Sequence, residues 1–267
     1  KSVLIKPNFN TSDETPGSTH VDTLKALLER VREKGAKSLI IGDRSGPEDT
    51  AQVFEKKGIP ALAGAFDAVL LNFDELGPEG YVRITPPGSH WKDGFLAAKP
   101  VVGAECVVST CCLKTHQYGG VFTMSLKNSV GIVPRKGTTL MKELHSSGDG
   151  QRRMIAEINF AYKPAVIVLD GLVAFVDGGP MTGPRKDAGV FLAGTDRVAV
   201  DAVGVAILKQ LGSNDAVMKP AIFDQEQIAR AVELELGVSS AAAIEIAAPD
   251  AASEAYAEKI RAILAAG

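Results

Sequence analysis

Three short polar segments, each following an apolar run, hold most of the side chains able to do chemistry. Lys6-Pro7-Asn8-Phe9-Asn10 sets an ammonium beside two amides, and such a group can hold a carboxylate or phosphate. The lysine supplies charge, and each Asn both donates and accepts. Gly42-Asp43-Arg44-Ser45-Gly46 repeats the situation, with Asp43 and Arg44 placed to orient each other or a ligand, although it lacks the full GxGxxG and P-loop patterns. The densest segment is Cys111-Cys112-Leu113-Lys114-Thr115-His116, followed by Gly119-Gly120 and by Ser125-Leu126-Lys127-Asn128.

Lys114, His116, Lys127 and Asn128 are expected to converge at one strand end. A lysine beside apolar positions is costly to bury unless it meets an anion or has a depressed pKa, the condition that makes it a nucleophile or base. The plainer reading of Lys127 is a snorkelling side chain with a solvated head. His145 is the natural partner to test, and its plainer reading is a surface residue. The expected catalytic set is therefore His116, Lys127 and His145, and the expected ligand-binding set is Lys6, Asn8, Asp43, Arg44, Lys114 and Asn128.

Asp170 closes the apolar run Ala165 to Leu169, where an acid is placed for metal or base work, and Asp201 stands among apolar residues of a helical stretch. These two are the candidate ligands of a divalent metal. The alternatives are a turn cap for Asp170 and a solvated helix face for Asp201. Asp177 precedes a glycine-rich turn, and Asp196 fits a helix N-cap. The run Cys106-x4-Cys111-Cys112-x3-His116 matches neither paired CxxC zinc sites nor iron–sulfur cysteine runs, so no iron–sulfur cluster is expected within this chain. The three cysteines are expected to be reduced. Cys111 and Cys112 should face opposite sides of a strand, so at most one should point into the site.

The elements that must position these groups alternate between strand and helix. Val3 to Lys6 and Ser38 to Ile41 read as buried strands, and Val21 to Val31 reads as a helix, with capping-box spacing at Thr19-x-x-Asp22 and a stop at Gly35. Ala51 to Lys57 is a second helix. Further strands are expected at Ala68–Leu71, Tyr81–Ile84, Cys106–Ser109, Ala165–Leu169, Val190–Ala193 and Ala243–Ile246. Further helices are expected at Val121–Ser129, Arg153–Tyr162, Arg197–Leu211, Gln225–Leu236 and Ser253–Ala265, with a long loop from Pro134 to Gly150. This alternation predicts an α/β fold, a mainly parallel sheet flanked by helices, and leaves open an arrangement as two intimately joined lobes with a cleft. Residues 1–267 read as one α/β domain, with 81–99 as a candidate small β insertion.

The chain has 267 residues, 45% of them hydrophobic and 23% charged, and a formal net charge of −3. That composition excludes a disordered chain and a global cationic field for nucleic acid. No run approaches the roughly 18 apolar residues of a membrane span. The expected partner is a small-molecule ligand, with no nucleic acid and no membrane span, and the oligomeric state stays open. The sequence enters a strand at once without a leader pattern, which leaves a cytoplasmic protein or an exported one whose leader is absent.

Taken together, Val3-Leu4-Ile5-Lys6-Pro7-Asn8, Leu113-Lys114-Thr115-His116, Leu126-Lys127-Asn128 with Gly131-Ile132-Val133-Pro134, Asp170-Gly171, Gly179-Pro180 with Gly183, Ala193-Gly194-Thr195-Asp196 and Val200-Asp201-Ala202-Val203 resemble domain-of-unknown-function family 362, in that family's order. The resemblance identifies a domain and implies no settled reaction. The order His116, Lys127, Pro134, His145 is also similar to the catalytic segment of the nickel-pincer lactate racemases. There a histidine acts as acid or base, a lysine holds the pincer cofactor covalently and a later histidine binds nickel. That likeness implies those roles for His116, Lys127 and His145 in turn, with His20 and Arg44 loosely matching amino-terminal elements. The glycine run here is shorter, and Lys127-Asn128 follows family 362 instead.

The first functional expectation is an enzyme acting on a small carboxylate or phosphate-bearing compound at strand carboxyl ends, with metal assistance by Asp170 or Asp201 as an open variant. The alternative is a non-catalytic accessory or ligand-binding protein in metal or redox metabolism. A third, a structural interaction module, predicts dispersed polar residues and an exposed apolar patch.

Overall fold

Apolar runs cut off by Pro, Gly or Asp become strands, and the amphipathic runs between them become helices. In the computed structural model, which describes residues 1–267, β1 (Ser2–Lys6), α1 (Val21–Glu33), β2 (Ser38–Asp43), α2 (Thr50–Lys56), α3 (Ile59–Ala65) and β3 (Ala68–Asn72) form the first third. A two-stranded antiparallel excursion, β4 (Tyr81–Ile84) and β5 (Phe95–Ala98), and a short α4 (Lys99–Val102) lead into β6 (Val107–His116). Then follow β7 (Val121–Phe122), α5 (Ser125–Asn128), α6 (Leu140–Ser146) and α7 (Gly150–Ile158). A long hairpin of β8 (Val166–Phe175) and β9 (Arg185–Gly194) precedes α8 (Arg197–Leu211), α9 (Asp215–Met218), α10 (Glu226–Glu233) and α11 (Ala251–Ala266).

The main sheet has the order β3-β2-β1-β6-β8-β9. The four pairings from β3 to β8 are parallel, and β9 is antiparallel to β8. The sheet is therefore mainly parallel and flanked by helices. From β1 the chain winds outward through β2 to β3, then returns to lay β6 on the other side of β1. That reversal opens a crevice beyond the carboxyl ends of β1 and β6, the usual place for a ligand in such sheets.

Alternating side chains divide the core. Val3, Ile5, Leu39, Ile41 and Val108 face α1, α2 and α3. Leu4 and Val107 face the opposite layer, with Trp91, Phe95, Ile132 and Ile155. Cys111, Leu113, Ile167 and Leu169 pack on that same side against α8. Eleven of the fifteen residues of α8 are buried, because sheet, α10 and α11 surround it, and a helix apolar on all sides must be enclosed. Val166, Leu172 and Phe191 on the β8–β9 hairpin are exposed.

Several local expectations change. Val121–Ser129 is not one helix: Val121 has φ +64° and begins β7, which pairs with Thr115 and His116, and α5 starts only at Ser125. The tight reversal through Gly119 and Gly120 is what breaks the helical register. Ala243–Ile246 is no strand, since a 3₁₀ turn takes Ala241–Ala243 and no ladder forms with a neighbour. The stretch 134–150 contains α6, whose Leu140 and Leu144 are buried one turn apart. The strand expected to end at Ser109 continues to His116, all ten of its residues buried. At α1 the N-cap is His20, whose ring accepts from Asp22 N, while Thr19 Oγ1 accepts from Asn8 N at 2.9 Å.

The β4–β5 excursion is tied down by one buried acid on α7. Glu157 accepts from His90 N, His90 Nδ1 at 2.6 Å, Ser89 Oγ at 3.0 Å and Arg230 Nε at 3.0 Å. Removing it breaks the buried half of the Arg230 ion pairing, leaving that guanidinium only Glu233 and the carbonyls of Pro87 and Gly88, and it takes the acceptor from His90 and Ser89; loss of one partner of a buried pair costs about 3–5 kcal/mol. Glu157→Ala is expected to lower unfolding stability by about that amount in urea titration; a loss within the ~0.5 kcal/mol typical of surface positions would refute the role.

Candidate functional site

The site is built on Lys6, the last residue of β1. Its Nζ lies 2.6 Å from Asp43 Oδ1 at the end of β2 and donates to Pro7 O at 2.7 Å and Asn128 Oδ1 at 3.1 Å. Burial pushes the Lys6 ammonium down and the Asp43 carboxyl up, and their contact opposes both shifts. Asp43 also accepts from Phe9 N and Arg44 N, each at 2.7 Å. Asn128 spends its amide on Ser109 Oγ at 3.0 Å and Thr110 O at 3.2 Å, so it joins β1 and β6 across the switch point. The backbone of Gly131 lies so close that a Cβ there would stand 2.6 Å from Asp43 Oδ1 and 2.8 Å from Lys6 Nζ.

Lys114, on β6, donates to Asn8 Oδ1 at 2.9 Å and to Gly17 O. Burial pushes it down to about 8. Arg44 donates to Val133 O at 3.0 Å, Val130 O at 2.6 Å and Ser45 O at 3.0 Å. No carboxylate touches it, so its charge is uncancelled by contact. Arg135, by contrast, is paired with Asp74 at 2.8 Å.

Lys127 differs from the other two buried lysines, because no protein acceptor lies within hydrogen-bond distance of its Nζ. Burial, then the neighbouring charges of Lys114 and Arg44, push it down to about 7. His116 lies beside it, and Gly120 separates them: a Cβ at Gly120 would stand 2.8 Å from His116 Nδ1 and 2.9 Å from Lys127 Cε. His116 Nδ1 accepts from Gly120 N at 3.2 Å, which assigns the ring proton of the neutral form to Nε2. Burial, then Lys127 and Lys114, lower the His116 pKa and keep the ring neutral. Its edge meets Tyr118 with centroids 5.8 Å apart. His145, on α6, is exposed at the rim, 3.4 Å from Gln151 Nε2, and is also lowered by burial and by Lys127.

These groups line two connected spaces. A recess of about 50 Å³ is bordered by Lys6, Asn8, Asp43, Lys114 and Asn128, and above it opens a cleft of about 760 Å³. Arg44, His116 and Lys127 border both. His145, Arg135, Tyr118 and the loop residues Pro180 and Met181 belong to the cleft, and no acidic side chain lines it. The structure therefore gathers all nine residues expected for catalysis and ligand binding.

The two aspartates expected at a metal are elsewhere. Asp170 pairs in register with Cys112, on the α1 side of the sheet, and accepts from Thr23 Oγ1 at 2.9 Å and Leu172 N at 3.2 Å. Asp201 lies on α8, on the opposite side, and accepts from Ser125 N at 2.7 Å and Leu126 N at 3.0 Å. The sheet separates them, and no three His, Cys, Asp or Glu side chains are grouped for a metal. Asp201 thus caps α5 from a distance and fixes the turn that carries Lys127 and Asn128, with burial pushing its carboxyl up to about 7. Neither Cys111 nor Cys112 borders the cleft, and burial raises both thiols. Asp196 is the N-cap of α8, and Asp177 is exposed and bonded to Asn214 Nδ2. Sequence reasoning missed Arg135 and Tyr118; Pro134-Arg135 after Gly131-Ile132-Val133 was the available signal for the first, and Asn10, the second amide of the Lys6–Asn10 segment, also borders the cleft.

Residues 3–206, a span holding every one of these groups from Lys6 to Asp201, match the family described as Domain of unknown function (DUF362), and the chain belongs to it. It is similar to the thylakoid-associated protein sll1697 of Synechocystis sp., with 28% identity over 231 residues, 85% of this chain and 67% of that protein. Among solved structures it aligns with the lactate racemase apoprotein from Thermoanaerobacterium thermosaccharolyticum at a TM-score of 0.49 and 17% identity. That alignment covers 73% of this chain and 45% of the racemase, so the chain spans less than half of that protein's length.

The lowered Lys127 pKa has a direct readout. In competitive labelling with acetic anhydride, Lys127 is expected to reach half-maximal reactivity near pH 7, where exposed lysines are still protonated. A midpoint close to the ordinary value of 10.5 would refute this.

Proposed function

We propose that this protein is an enzyme that binds a small carboxylate- or phosphate-bearing compound in the cleft above β1 and β6 and moves a proton with His116. The observation that carries the reading is a charge imbalance. Lys6, Lys114, Lys127, Arg44 and Arg135 border the recess and cleft, while the carboxylates in contact with them are Asp43 and Asp74. Lys127 and Arg44 in particular face the cleft with no carboxylate contact. Enclosed positive charge without a counter-ion is costly, and an anionic ligand removes that cost.

The division of labour follows from what each group has already committed. Lys6, Asp43 and Asn128 are bound to one another and hold the floor. Arg44 and Lys127 supply the positive field for the ligand's anionic group. His116 has Nδ1 engaged by Gly120 and its Nε2–H free of any protein partner, so the neutral ring offers substrate a donor, and it takes up a proton at Nδ1 only when a bound anion offsets the surrounding positive charge. Asp201 acts as a positioning residue through α5.

A second reading is favoured by one observation, that His116, Lys127 and His145 border the same cleft. These are the residues to which the nickel-pincer likeness gives roles. On that reading Lys127 would hold the group covalently, His145 would offer a nitrogen to nickel, and the group would supply a metal centre beside the substrate.

Isothermal titration with inorganic phosphate and with malonate, alongside thermal melts, tests the first reading. At about 100 times Kd, binding stabilises by about 2.7 kcal/mol, a rise in Tm of roughly 5–10 °C. Lys127→Met is expected to weaken binding at least tenfold with its own melt little changed. Equal binding by wild type and variant, or none by either, would sink the proposal. Stoichiometric nickel in the purified protein would favour the second reading, and anion binding with no turnover by any tested acid would leave the accessory role.

A further inference from the structure

Three lysines are enclosed at the carboxyl ends of β1 and β6, and two have fixed duties. Lys6 is held by Asp43, Pro7 and Asn128, and Lys114 by Asn8 and Gly17. Lys127 has no protein acceptor, yet it is only 9% exposed, on a turn fixed from below by Asp201 and from the side by Asn159, whose amide donates to Leu126 O at 2.9 Å. Its amine is therefore aimed into the cleft by a rigid support instead of being neutralised by a partner. A lysine built only to supply charge needs no such isolation. An amine meant to attack does, because an adjoining carboxylate would keep it protonated.

We propose that Lys127 is a nucleophile that condenses with the carbonyl carbon of a small 2-oxo acid to form an imine. The inference rests on the anion-binding reading, since the acid's carboxylate takes the positive field of Arg44, and it deepens that reading by naming the ligand class. The Lys127 nitrogen lone pair forms a C–N bond as the carbonyl π pair moves to oxygen. The C–O bond then breaks with formation of C=N, and the two amine hydrogens leave with that oxygen as one water. No oxidant or reductant is needed.

His116 is near enough to take part in those proton transfers, because the Gly120 backbone lies against both its ring and the Lys127 side chain. The missing side chain at Gly120 is what allows this approach: a Cβ would crowd both groups at once. The walls contributed by Val130, Met141, Pro180 and Met181 are largely apolar, which favours the neutral amine and the loss of water. The lowered pKa of Lys127 agrees with this placement, leaving about half of the side chain unprotonated near pH 7.

The test is reductive trapping. Protein whose mass matches the unmodified chain is incubated with pyruvate and sodium cyanoborohydride at pH 7, then analysed by intact mass and peptide mapping. The expected result is one added pyruvate less one oxygen atom, located on Lys127, suppressed at least tenfold by saturating malonate and absent in Lys127→Arg. Trapping scattered over exposed lysines, or insensitive to malonate, would overturn the proposal even if Lys127→Arg failed to fold. Malonate binding without trapping at Lys127 would defeat the imine and leave anion binding standing; loss of both would defeat both. A purified chain already heavier at Lys127 would also overturn it, in favour of a resident covalent group.

Discussion

The cost of enclosing a positive charge organises this end of the molecule. Lys6 leaves β1 on the buried side of the switch point, where an ammonium must find several oxygen partners in the folded protein or not fold there at all. Its partners come from three places in the chain, the end of β2, the backbone of Pro7 and the side chain of Asn128. Meeting that requirement brings β2 and α5 together over β1. Asn128 then passes the constraint to β6 through Ser109 and Thr110. Close backbone approach follows, and Gly131 stands where no side chain fits between the turn and the ion pair.

Once the floor is fixed, the groups above it are left with different freedom. Lys114 is consumed in holding the loop after β1, and Arg44 in gathering the carbonyls of the segment that follows α5. Lys127 alone keeps an unbonded head group. The supports that isolate it are remote in sequence: Asp201 reaches the first two amides of α5 from α8, and Asn159 reaches the same turn from the end of α7. Stability and reactivity are thus divided between neighbours, with the committed charges holding the site and the uncommitted one facing the cleft.

Much of this was legible because period and punctuation are local. The strands ending at Lys6 and Asp43, and the turn bearing Lys127-Asn128, follow from apolar runs and their breakers. Their convergence follows from the rule for switch points. Asp201 was misread as a metal candidate because its partners, the amides of Ser125 and Leu126, are more than 70 residues away and leave no mark in local sequence. Asp170 and Asp201 could be paired only in ignorance of which sheet face each occupies. The helix expected from Val121 failed for a different reason. Its apolar spacing was acceptable, but two glycines and the positive φ of Val121 let β7 pair with β6. Ala243–Ile246 had strand composition but no neighbour to supply a ladder, and composition alone cannot provide one.

The electrostatics of His116 and Lys127 are mutual, and this shapes what a ligand does on arrival. Each cationic form is disfavoured by burial and by nearby positive charge, with Lys127 itself lowering His116. An anion placed among Arg44, Lys127 and His116 reverses the sign of the local field and raises both pKa values. Binding of the proposed anion would therefore be coupled to proton uptake near neutral pH, with the first proton going to the amine, whose unliganded pKa of about 7 lies above that of the ring. For a carbonyl-bearing anion the proposed condensation is a second outcome, in which the amine is engaged covalently before that proton is taken up. The competition between protonation and condensation is set by where the carboxylate settles. The separation of the committed cations from Lys127 keeps that choice open to the ligand instead of fixing it in the protein.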